Sequence, residues 1–445
     1  MAGAPRSTDP TDAFAALGHW ARALRVADVP PDVLTAARHL LAHIDARLAA
    51  TPDLGLAESN TRPSATYAAF EGDAHVLGAR VGVGIAALRS LQPAGISIER
   101  LLLATVVGTE IGARVGVATL LSDRATHSSP LPGAAAGAAA MAWLGGADGE
   151  AIGQAIGNAV GLASSSAEAR GTAFGNAVAE AALGALGAAA NGLSARLWNE
   201  VAVPLPEALA PGGRWLSRAM VLPHLCASAP IATAIEGFHE ILNRHLKAAD
   251  KRLRHDQVER IEVRVSFVTW AAERKDPRIP ELIGRLVAFH ALGPAERAGT
   301  TMVTEGVAVD KAAEVSAVAA RVSVVHDWVL SVGLAQSALP HTGPLTVQRY
   351  RALRGLLKQH GAWPTWKPPD LWPLLMARPG ALFRGSDEST ESPLEWPVLV
   401  KLYTTRGGWW PERRRVAEGA VSSEMPRAPF DGLLSLPAGP LLGQR

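Results

Sequence analysis

Along the first half of the chain, apolar positions recur at the spacing of helices packed on one another. In DVPPDVLTAARHLLAHIDARLA, Val33, Ala37, Leu40, Leu41 and Ile44 fall on one stripe and Pro30 and Pro31 stand at its start, so helix is predicted across 12–48. After a polar, proline-bearing loop (51–64), helical segments are predicted at 64–77, 81–91, 97–119, 132–145, 148–166 and 172–195, divided by clusters of Gly, Pro and Ser. Past Asp250 the period changes to two. In DQVERIEVRVSFV, Ile261, Val263 and Val265 alternate with Glu262 and Arg264, the pattern of a half-buried strand. SAVAARVSVVHDWV and PLEWPVLVKLYTTRGG are two further candidate strand regions, the last ending in a glycine turn.

The stretch ATHSSPLPGAAAGAAAMAWLGG (125–146) is formally long and uncharged enough for a membrane span, but Pro130 and Pro132 leave room for only a short helix. Alanine and glycine also contribute little transfer free energy, so the reading is a buried helix whose small side chains let neighbouring axes approach. The fold class that follows is mainly α: a large all-helical domain plus a smaller α+β domain. Residues 1–11 are expected as a disordered tail.

Composition narrows the function classes. The 43 Lys and Arg nearly balance the 41 Asp and Glu and are scattered, so no nucleic-acid partner is expected. The lone Cys226 excludes an internal disulfide and a thiolate metal centre, and no metal or cofactor is expected. The N-terminal residues lack the apolar core of a secretory signal, and a cytoplasmic setting is expected. Phosphate-binding, dinucleotide, nucleophile-elbow and HExxH motifs are absent from the sequence. The tryptophan- and proline-rich GAWPTWKPPDLWPLL reads either as a surface segment pinned by its aromatics or as a pocket wall.

Four stretches, in order, resemble the MmgE/PrpD family, whose members include 2-methylcitrate dehydratase, cis-aconitate decarboxylase and iminodisuccinate epimerase. They are VADVPPDVLTAARHLLAHIDARLA, GISIERLLLATVVGTEIGARVG, THSSPLPGAAAGAAAMAWLGGADGEAIGQAIGNAVGLASS and VERIEVRV. The resemblance covers residues 12–265 well and the rest loosely. It implies a helical domain (12–252), an α+β lid (253–412), a return to the helical domain (413–445), a homodimer, and a metal-free site between domain and lid that acts on small polycarboxylates.

Moving protons at a substrate carbon requires acid/base groups, and holding carboxylates requires cations or donors. The resemblance places Asp73 and His75 of FEGDAH at the second aspartate and the histidine of a paired-aspartate motif, with Gly72 replacing the first aspartate. A His-Pro-Gly triplet falls near Gly78 and Ala79, so its histidine is lost, and Arg80 could serve as a carboxylate clamp. His127 matches a retained histidine, with Gly133 in register and Ser128 beside it. Elsewhere a lysine and a histidine become about Gly175 and Val178, and another lysine and histidine become about Val221 and Pro230. Cys226 is matched, His224 is new, and Leu334 stands where a tyrosine is expected.

Each lost lysine removes a charge that would offset a substrate carboxylate, at ~2–4 kcal/mol of transition-state stabilisation per contact. The expectation is therefore a divergent, cofactor-independent lyase, isomerase or cyclase acting on a mostly apolar small molecule. His127, Asp73 and His75 would be catalytic, and Arg80, Ser128, His224 and Leu334 would bind substrate. Two alternatives stand beside it: a non-catalytic relative that binds a ligand or stabilises a partner, and a dehydratase or decarboxylase of a polycarboxylate. The residues also have plainer readings. His127 could cap a helix, His224 and Cys226 could be buried packing groups, Arg80 a surface group, and Arg413 to Arg415 a solvated face.

Overall fold

A computed structural model describes residues 10–49, 62–69, 74–91, 95–119, 130–165, 171–186, 214–222, 229–249, 252–275, 277–292, 311–342, 394–414 and a few positions between 350 and 361. These residues are mostly helical, with two small sheets.

The first half forms α1 (Pro10–Ala23), α2 (Pro31–Ala49), α3 (Arg62–Ala69), α4 (Gly82–Leu91), α5 (Ile98–Thr119), α6 (Leu131–Leu144), α7 (Gly149–Ser165) and α8 (Gly171–Ala185). The small-residue helix α6 is buried along nearly its whole length, and its flanks are α4, α5, α7 and α8. Alanine gains little from burial beside the ~1.5–3 kcal/mol of a fully buried Leu or Phe, so close approach of backbones has to supply the dispersion contacts. The α4–α6 crossing shows this: a Cβ built at Gly84 would lie 2.0 Å from the Gly133 carbonyl oxygen. Helix α5 is the one described helix long and apolar enough to cross a membrane, and its apolar stretch is entirely buried in the protein.

One predicted helix is corrected. The helix predicted over 64–77 does not extend to its end: among the described residues α3 covers Arg62–Ala69, and His75–Val76 (β1) and Ala79–Arg80 (β2) form a hairpin. Its two-residue turn has Leu77 at φ 52° and Gly78 at φ 81°, the paired positive φ angles that a tight hairpin loop requires. Met220–Val221 (β3) adds to the other edge, giving the order β2-β1-β3.

The second half contains α9 (Ala229–Ala249), α10 (Phe267–Lys275), α11 (Ile279–Ala291), α12 (Ala312–Ala319) and α13 (Trp328–Thr342). The predicted strands appear as β4 (Val258–Val265), β5 (Val322–His326) and β6 (Val398–Thr404), joined by β7 (Trp409–Arg414) in the order β5-β4-β6-β7. Strands β4 and β5 are parallel; the other pairs are antiparallel. Within SAVAARVSVVHDWV only Val322–His326 is strand, because α12 occupies the alanine-rich first half.

Two apolar clusters organise the described residues. Helix α9 packs on the sheet, its stripe Ile231, Ile235, Phe238 and Leu242 meeting Ile261, Val263, Val398 and Val400 in the second cluster. Strand β7 runs through 412, and its Arg414 reaches the buried Glu236 of α9 at 3.2 Å. Arg414 is thus a structural ion-pair partner, not part of a wholly solvated run. Conversely Leu334, Ala338, Leu394 and Trp396 join the first cluster with α1–α8.

Candidate functional site

The three-stranded sheet gathers positions that lie far apart in sequence. His75, only 1% exposed, sits on the central strand β1, directly opposite Arg80 on one side and Val221 on the other. Directly opposed residues in an antiparallel pair have Cβ atoms ~4.5–5.5 Å apart. Val221, where the resemblance expects a lysine, is therefore the immediate cross-strand neighbour of His75.

Arg80 is half-buried and lays its guanidinium 3.9 Å from the centroid of the Phe174 ring on α8, a cation–π contact. It is a packed residue, not a freely solvated one. The start of α6 closes in beside it: a Cβ on Gly133 would meet the Arg80 carbonyl oxygen at 3.2 Å and Val178 Cγ1 at 3.3 Å. Behind the hairpin, the Tyr67 hydroxyl accepts the Ala74 amide at 3.0 Å, and Ser64 Oγ donates to the Val83 carbonyl at 2.7 Å. The His43 ring meets Tyr67 edge-on at 6.0 Å.

Two of the positions where the resemblance expects a lysine or a histidine are occupied by packing. A Cβ on Gly175 would fall 2.3 Å from the Ser64 carbonyl oxygen and 2.4 Å from Ala65 Cα, so α3 and α8 touch through backbone there. Val178 is fully buried. Leu334 is 5% exposed on α13, in the same cluster as Trp396. Ser337 on α13 accepts the Glu395 amide at 3.2 Å, and Trp396 Cζ2 lies 2.4 Å from where a Cβ on Gly78 would be. The start of β6 thus rests on the hairpin turn.

The sequence reading missed the group that fixes β3. Glu110 on α5, fully buried, accepts hydrogen bonds from Ser217 N at 2.7 Å, Leu216 N at 3.2 Å and Ser217 Oγ at 2.5 Å, and also from Arg114. Arg114, 2% exposed, donates in turn to the Arg214 carbonyl at 3.0 Å. This buried pair grips residues 214–217, immediately before β3. Its signal was present in the sequence as an i,i+4 acid–base pair, the only charges between Leu101 and Thr119.

His127, Ser128, Asp73, His224 and Cys226 lie outside the described residues, as does the 362–373 tryptophan and proline segment. The described elements adjoining them converge nonetheless: β1 begins two residues after Asp73, Pro130 at the start of α6 follows His127 by three, and β3 ends three residues before His224. Among the described residues, no group of three or more His, Cys, Asp or Glu side chains is placed to hold a metal ion. No family model matches the chain, and no curated protein matches it.

Proposed function

We propose that this chain is a divergent MmgE/PrpD-type enzyme that performs lyase, isomerase or cyclase chemistry on a mostly apolar small molecule without a cofactor. The observation carrying the reading is the β2-β1-β3 sheet, where His75, Arg80 and Val221 are cross-strand neighbours and the start of α6, just after His127, packs on Arg80. In this reading one base of the set Asp73, His75 and His127 takes a proton from a substrate carbon. A second group returns it to another face or carbon, or protonates a leaving group, so charge balances without metal or redox partner. Arg80, Ser128, His224 and Leu334 bind the substrate. Val178 and Val221, where cations or donors would face a polycarboxylate, favour an apolar ligand.

The sheet β5-β4-β6-β7 acts as the lid in this reading, and the protein works as a cytoplasmic homodimer. A non-catalytic, ligand-binding role is the second reading, favoured by the closure of Gly175 against the α3 backbone.

Deuterium incorporation separates them. Purified protein is incubated in D2O with apolar keto acids, unsaturated monoacids and polycarboxylates, and substrate carbons are read by mass spectrometry and NMR. Label should enter an apolar member and vanish with folded His127→Ala or His75→Ala protein. Exchange into a tricarboxylate alone would reinstate the polycarboxylate reaction, and exchange unaffected by both substitutions would sink the assigned roles.

A further inference from the structure

Among the described residues, the larger sheet packs one face on helices and leaves the other partly exposed. Ile261, Val263, Val265, Val398, Val400 and Leu402 point to α9 and α11, so strand alternation puts Arg260, Lys401, Tyr403, Trp409 and Arg413 on the opposite side. There three strands carry a ladder. Arg260 of β4 lies 4.2 Å from the centroid of Tyr403 of β6, and Tyr403 stacks on Trp409 of β7 with centroids 6.4 Å apart and planes 20° from parallel. Trp409 remains 57% exposed on the edge strand, and with one side on Tyr403 its outward side is left to solvent.

The charge around the ladder is uneven. Glu262 is already engaged by Arg264 at 2.6 Å and Lys401 at 3.4 Å, and Arg264 also reaches Asp327 at 3.5 Å. Arg260, Arg413 and the turn residue Arg406 are exposed and have no acidic partner among the described residues; Glu259, at the bulge beside Arg260, is the nearest acid along the strand. Near electroneutrality of the whole chain hides this, because pairing of β4, β6 and β7 collects arginines from distant parts of the sequence.

We infer that this face binds single-stranded nucleic acid. The chemistry asks for an occupant with both a flat ring, to extend the stack beyond Trp409, and negative charge, to meet Arg260, Arg406 and Arg413. An unpaired strand offers both. A duplex keeps its ring faces stacked inside, an anionic lipid surface offers no rings, and a second copy of this face would bring arginines against arginines. With only three uncommitted cations the binding is modest and salt-sensitive: about two phosphate contacts on a single strand give a log–log salt slope near −1.4.

The test is fluorescence anisotropy of a fluorescein-labelled twelve-residue oligothymidylate with the full chain. The labelled strand should bind, Trp409→Ala should weaken it about tenfold, and Arg413→Gln should weaken it severalfold while flattening the salt slope. Both positions are exposed, and urea unfolding confirms that the variants fold. Equal or tighter binding of a hairpin duplex, indifference to Trp409→Ala, absence of binding, or binding of anionic vesicles in place of the oligonucleotide would each overturn the inference.

Discussion

His75 and Arg80 stand directly opposite one another across the two-residue turn Leu77–Gly78, the first fully buried and the second stacked on Phe174. A buried histidine is thereby held directly across the strand pair from an arginine whose guanidinium rests on an aromatic ring. The hairpin pairing sets both positions.

Gly78 is the closure point. At φ 81° an alanine is strained by roughly 1–3 kcal/mol, and its Cβ would overlap Trp396 Cζ2 as well. Gly78→Ala should destabilise the protein by that strain or more, read as a lower urea midpoint of unfolding. In a Trp396→Ala background the same substitution should cost less, and equal costs in both backgrounds would show that the ring does not press on the turn.

Glu110→Ala leaves Arg114 buried without its carboxylate and removes the acceptor from Leu216 N, Ser217 N and Ser217 Oγ. Loss of one member of a buried pair costs about 3–5 kcal/mol. Glu110→Gln, which keeps an acceptor oxygen, should cost less. Hydrogen exchange at Met220 and Val221 should quicken in both variants, because the pair acts by fixing the chain that enters β3.

The helices were legible because α4 to α8 repeat small apolar residues at helical spacing, and the Gly84–Gly133 crossing is what that pattern implies. The hairpin was not. Two-residue strands are too short to show alternation, and the apolar positions of 64–77 also fit a helix. The helix carrying Ile231, Ile235, Phe238 and Leu242 was not predicted, and nothing local to it says that its partner is the β4–β6 sheet and not the preceding bundle. At the site, His75 was readable as a residue while its neighbour Val221, set by long-range pairing, was placed only by the fold.

Two carboxylates should titrate stability in opposite directions. Burial pushes the Glu262 carboxyl up, but the hydrogen bond and charge of Arg264, with Lys401, outweigh it and hold the group below its ordinary value. Its contribution is present above that ordinary value and is lost as pH falls through the lowered one. Burial of Asp45 prevails over the charge and hydrogen bond of Arg89 and leaves that group raised, so its contribution is present in acid and lost as pH rises through the raised value. In urea midpoints measured from about pH 3 to 7, Glu262→Gln should remove stability mainly at the upper end and flatten the acid loss. Asp45→Asn should flatten the opposing component, so the midpoint should rise more steeply with pH than in the parent.

Gly175 decides whether a lysine could be accommodated where the resemblance expects one. The resemblance expects a lysine there, yet a Cβ would lie 2.3 Å from the Ser64 carbonyl and 2.4 Å from Ala65 Cα, both backbone atoms that cannot swing aside. Gly175→Ala should therefore destabilise by about 1–3 kcal/mol, the usual cost of overpacking, and Gly175→Lys by at least as much. Neither variant should gain citrate binding by calorimetry, since the obstacle is the α3–α8 backbone contact and not the missing ammonium group. A stable Gly175→Lys protein that binds citrate would show that the helices part readily and that the position has room for a lysine.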